Sequence, residues 1–127
     1  MNRAESALAT ARRLAEVAAE EKRLGRSVRR ATDTCSEERV FETEAAGYVR
    51  TSHLTAYFRA DKSTRYDRNG DPDTSDAEEA YGRMRDCPIC WEAYTAVQLR
   101  KSLRARRGAL RAALVRIGKL ALEEANP

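Results

Sequence analysis

Apolar positions in the first 28 residues recur at helical spacing. Ala7, Leu14, Val17, Leu24 and Val28 fall roughly on one stripe, interrupted by Glu21. This predicts a helix over residues 4–24, which Gly25 either ends or merely weakens. A second helix is expected in "TCSEERVFETEAAG". Thr34 and Glu37 have capping-box spacing, Gly47 stands where a C-terminal glycine belongs, and Phe41 and Ala45 would face the core. Residues 48–60, "YVRTSHLTAYFRA", carry both a strand signal and a helical one. "DKSTRYDRNGDPDT" reads as a loop, because Asn-Gly and Asp-Pro punctuate turns. Ser75 and Glu78 then have the spacing to open a short helix running to about Met84.

The last third has the longest pattern. The residue before a proline avoids helical backbone, so Cys87 breaks the preceding helix, and Pro88 suits the first position of the next. Ala93, Ala96, Leu103, Leu110, Leu114, Ile117 and Ala121 share a face, broken by Arg100 and Arg107. One helix over about 35 residues would span roughly 50 Å, so its stripe needs either the N-terminal helix or a second copy of the chain along it. Leu103, Leu110 and Ile117 would form the contact in a homodimer.

The chain has 127 residues, and Ala (22) and Arg (20) dominate it. Alanine favours helices because it loses no side-chain entropy there. Aromatics are only 6%, so the core is thin. The net charge of +4 conceals a strong asymmetry. Residues 100–119 hold eight bases and no acid, whereas residues 67–79 hold six acids and one arginine. The basic run offers Arg100, Lys101, Arg104, Arg106, Arg107 and Arg111 to nucleic acid or to an acidic host-protein surface. The bland alternative is a solvated face with partners inside the chain. No run approaches the ~18 apolar residues of a spanning helix, so no membrane partner is expected. The N-terminal stretch lacks the apolar centre of a secretion signal, which implies a reducing cytoplasmic setting.

That setting decides how "DCPICWEAY" is read. Zinc takes four ligands from thiolate and imidazole, and the chain has three cysteines and one histidine: Cys35, His53, Cys87 and Cys90. With Pro88 opening the helix, the sulfurs of Cys87 and Cys90 lie one turn apart at its N-terminus, where free N–H groups and the helix dipole stabilise thiolate. Cys35 and His53 stand 18 positions apart, outside any short knuckle. Two other readings remain open. Cys35 can be a small buried residue with His53 in a loop, or Cys87 and Cys90 can be the nucleophile and resolving thiol of a redox pair.

Three resemblances bear on these residues. The C-P-x-C that opens a helix looks like a glutaredoxin active site, although here it lies at residue 87, outside a βαβ pattern. "CPICWE" resembles the start of a RING finger, but nothing after Cys90 is Cys or His. Residues 87–119, a C-x-x-C followed at once by "RARRGALRAALVRIGK", look like the C-terminal part of small uncharacterised proteins encoded by bacteriophages and prophages. That likeness implies an accessory protein of a bacterial cytoplasm.

Asp67, Asn69, Asp71, Asp73, Ser75 and Glu78 follow the ligand spacing of a calcium loop, but Pro72 replaces the glycine that its sharp turn needs. No nucleophile triad or phosphate loop emerges, and with His53 as a ligand no general base remains. The sequence thus points to a single, mostly α domain over residues 1–127. Long helices at 4–24 and 88–125 flank a small zinc-stabilised middle region, 33–87, with room for one short strand pair. The expected function is non-enzymatic binding of a macromolecule through the Arg-rich helix. A thiol oxidoreductase and a structural helical homo-oligomer are the alternatives.

Overall fold

The computed structural model describes residues 2–125. They form four helices and two short antiparallel ribbons, so the protein is mostly helical, with long helices at either end of the chain and a small stranded middle.

The first helix, α1, covers Arg3–Thr34 and so runs ten residues past its expected end. Gly25 costs about 1 kcal/mol in mid-helix, but Val17, Leu24 and Ala31 are buried on either side of it and carry the helix through. This longer helix also cancels the expected second one. Thr34 cannot cap a following helix because it ends the first, with its hydroxyl donating to the Arg30 carbonyl (2.6 Å). The segment is instead an antiparallel hairpin, β1 (Glu38–Thr43) with β2 (Gly47–Thr51). Val40, Val49, Phe41 and Tyr48 suit pleated, half-exposed positions. Gly47 supplies a left-handed conformation (φ 68°) to the hairpin rather than to a helix end. Phe41 does not face the core. It is 54% exposed and packs edge-to-face on its cross-strand partner Tyr48, while Ala45 lies exposed in the turn.

The ambiguous segment 48–60 resolves into both forms, β2 and then α2 (His53–Lys62). Ser52 is the switch point. Its extended backbone ends the strand, and its side chain accepts from the Thr55 N–H (3.1 Å) to cap the helix. A two-residue ribbon follows, β3 (Arg65–Tyr66) with β4 (Pro72–Asp73), closed by Gly70 at φ 80°. Helix α3 (Ser75–Arg85) starts one residue earlier than the capping-box spacing implies. Thr74 occupies the cap and donates to Glu78 (3.0 Å), while the Ser75 hydroxyl donates to Asp73 (2.7 Å). Helix α4 (Pro88–Ala125) is one uninterrupted helix of 38 residues.

Two compact units divide the chain. The paired-helix unit takes the described part of Met1–Leu24 and Gln98–Pro127. Arg3 donates to the Leu120 carbonyl and pairs with Glu124, while Glu21 pairs with Arg107, so the two helices run antiparallel. The breaks in the two apolar stripes therefore meet. Glu21 is only 7% exposed and its carboxylate receives Arg107 Nη1 at 2.5 Å. The N-terminal helix thus takes the place along the α4 stripe, with Leu103, Leu110 and Ile117 half-buried.

The cysteine unit, Gly25–Val97, holds the denser core. Ala31, Cys35, Leu54, Met84, Cys90 and Ala93 are buried together. Tyr57, Phe58, Tyr81, Trp91 and Tyr94 pack against them in a continuous network of ring contacts, centroids 5.3–6.3 Å apart. Such pairs add about 0.5–1.5 kcal/mol each beyond the area they bury.

Candidate metal centre

Three segments of the cysteine unit bring the site together. Cys35 follows the last residue of α1, and its N–H closes the final turn onto the Ala31 carbonyl (2.9 Å). His53 is the first residue of α2. Cys87 immediately precedes α4, its carbonyl accepting from the Trp91 N–H (2.8 Å), and Cys90 sits in the helix's first turn. Ligand atoms of Cys35, His53 and Cys87 all lie within 4.8 Å of one another. Cys90 is buried in the same cluster as Cys35, with Cys87 packed against it. The structure thus brings three of the four sequence-derived candidates, Cys35, His53 and Cys87, close enough to hold a metal ion, and Cys90 lies outside that group. All three cysteines are free thiols.

The first turn of α2 explains much of the local electrostatics. A helix start leaves four N–H groups without partners. Here the Thr55 N–H goes to the Ser52 side chain, and the Ala56 N–H makes the first intrahelical bond, to the Ser52 carbonyl. The N–H groups of His53 and Leu54 favour thiolate at Cys35 and Cys90 respectively. Burial pushes the Cys35 thiol up, but N–H donation from Glu37 and His53, helped by the Cys90 thiol and the charge on His53, outweighs it and leaves the pKa lowered. For Cys90, which is fully buried, burial wins. Its pKa is pushed up to about 12, with the Leu54 N–H opposing and the neighbouring sulfurs reinforcing the rise.

His53 is held by two adjacent carboxylates. Its Nδ1 lies 2.9 Å from Glu38 and its Nε2 3.2 Å from Glu37. Burial alone would lower the imidazole pKa, but these carboxylates and Cys35 raise it. Burial likewise works to raise the Glu38 pKa, and Arg83, bonded at 2.5 Å, together with His53 brings it down. Sequence reading missed Glu37, Glu38 and Arg83. The Glu-Glu pair two positions beyond Cys35 is a local signal, because ligating histidines carry carboxylate partners. Arg83, 45 positions from Glu38, leaves no such trace.

The other candidates lie elsewhere. Lys101, Arg104, Arg106 and Arg111 are exposed on α4, Arg100 is half-buried, and Arg107 is turned to Glu21. The calcium-like loop spends its carboxylates on its own backbone. Asp67 accepts from the Asn69 and Asp71 N–H groups, and Asp73 from Ser75. Among the described residues, the Cys35–His53–Cys87 cluster is the metal-competent grouping of this kind, and no helix is long and apolar enough to cross a membrane. No protein-family model matches the chain, and comparisons with curated proteins and with solved structures bring out no match.

Proposed function

We propose that this is a non-enzymatic, zinc-stabilised binding protein in which Cys35, His53, Cys87 and Cys90 hold one structural zinc ion. The observation that carries the reading is the convergence of two sulfurs and an imidazole, from Cys35, Cys87 and His53, within 4.8 Å of one another, with Cys90 buried in the adjoining cluster. Tetrahedral bonds of ~2.3 Å place zinc ligands roughly 3.7 Å apart, a small contraction from the 4.8 Å limit within which three of the ligand atoms already lie. Three thiolates and a neutral imidazole around Zn²⁺ leave one net negative charge. The N–H donors on sulfur and the positive ends of α2 and α4 offset it. Four protein ligands leave no open position for substrate, as befits a structural site.

The exposed bases Lys101, Arg104, Arg106 and Arg111 support binding of a polyanion, with nucleic acid first and an acidic protein surface second. The likeness of residues 87–119 to phage-encoded proteins supports an accessory role in a bacterial cytoplasm.

Metal analysis of purified protein tests the site, with one zinc per chain expected. Catalytic thiol turnover in metal-free protein would instead favour the Cys87–Cys90 oxidoreductase. Mobility shift with duplex DNA and with RNA at low and raised salt tests the basic face. Affinity should fall steeply with salt, because phosphate contacts release counterions, and no shift with either nucleic acid at low salt would remove this partner.

A further inference from the structure

His53 has two ring nitrogens and only one can face the metal. Both are occupied here by carboxylates from consecutive residues, so binding must evict one of them. The two are far from equivalent. Glu37 lies just before β1, its side chain 79% exposed, and its carboxylate bonds to His53 alone among the described residues. Glu38 is the first residue of β1, only 15% exposed. Strand pairing sets it opposite Thr51, two residues before His53, which delivers its carboxylate to the ring. Arg83 from α3 then bonds the same oxygen that meets Nδ1, at 2.5 Å.

We propose that Glu38, locked by Arg83, fixes His53 as an Nδ1–H donor so that Nε2 takes the metal, and that Glu37 is a latch covering Nε2 until the metal displaces it. The inference rests on the zinc reading above and assigns positioning roles to three residues outside the ligand set. Glu38 would orient the ring and increase its donor strength, as partners of ligating histidines do. Glu37 would compete with the metal for the same nitrogen. Electrostatics alone makes no such distinction, because either carboxylate adds one negative charge beside the site.

The test is zinc affinity by competition with a chromophoric chelator, for the unsubstituted protein, Glu38→Gln and Glu37→Gln. Glu38→Gln should weaken binding by about 10–100-fold, the usual loss for a partner of this kind. Glu37→Gln should leave affinity unchanged or tighten it. Nitrogen-15 NMR of the unsubstituted zinc-loaded protein gives an answer free of any folding defect. Nδ1 should carry the proton and Nε2 the metal. Nδ1 coordination, or equal losses in the two variants, would overturn the assignment and leave the zinc site standing. An unsubstituted protein that binds no zinc would overturn both.

Discussion

All eight aromatic residues, the three cysteines and the histidine lie in the cysteine unit, and the paired-helix unit has none of them. Charge divides as sharply. The paired-helix unit holds thirteen Lys and Arg against six Asp and Glu, a formal +7, whereas the cysteine unit holds eleven against fourteen, a formal −3. The two therefore reach stability by different physics. The cysteine unit uses a few residues of particular chemistry placed by long-range folding. The paired helices use a generic apolar stripe, with the Glu21–Arg107 and Arg3–Glu124 pairs to set their alignment. The first kind of construction fails when one residue changes; the second tolerates change and leaves its outer surface free for charge.

Metal removal should separate them most. Structural zinc supplies on the order of 10 kcal/mol in small domains, so chelation or Cys90→Ser should abolish slow amide exchange in residues 35–97 while residues 3–24 and 98–125 lose far less. Hydrogen exchange with mass spectrometry reads both at once. Equal loss in the two units would break the comparison. Because zinc binds thiolate, its stabilisation should shrink as pH falls.

A smaller contrast lies in ordinary packing. Met84 is fully buried, so Met84→Ala should cost about 2–5 kcal/mol, while Leu110→Ala, at a half-buried site, should cost roughly half as much. Urea titration of zinc-loaded protein gives both values. The Glu21–Arg107 alignment pair comes next. Arg107→Ala strands Glu21, one of whose oxygens is already buried without a partner. The cost should be about 2 kcal/mol, below the ~3–5 of a wholly buried pair, because Arg107 remains a third exposed and is screened. Replacing both residues by leucine should be neutral or stabilising in the same titration, at the expense of helix alignment.

The least effect belongs to Glu20. Its hydrogen bond to Arg23 holds its carboxyl below the usual range, at a partly exposed position. A depressed folded value means the contribution is present above the ordinary glutamate pKa and disappears as pH falls through the lower folded one. Carboxylate titration by NMR should detect the shift, and Glu20→Gln should leave the denaturation midpoint almost unmoved.

What could be read from the sequence follows the same division. The long last helix and the meeting of Cys35, His53 and Cys87 were legible because periodicity and ligand arithmetic are properties of residue types. The β1–β2 hairpin was not. Thr34, Glu37 and Gly47 satisfy a helix template, and only the continuation of α1 through Gly25 removes Thr34 from it. Arg107 read as a free surface cation because nothing local announces Glu21, 86 positions away. Both failures are cases of distant packing overriding a local rule.

The β3–β4 ribbon has a practical consequence. Every residue from Arg65 to Asp76 is exposed, and Asp67 ties the turn to itself through the Asn69 and Asp71 N–H groups. The strands enter and leave side by side, Arg65 opposite Asp73. A foreign domain whose own termini are close could be spliced in after Gly70 with little added loop-closure cost, since that cost grows only slowly with length. The protein thus carries a ready insertion port, where a fluorescent reporter could be installed without touching the cysteines or the basic helix.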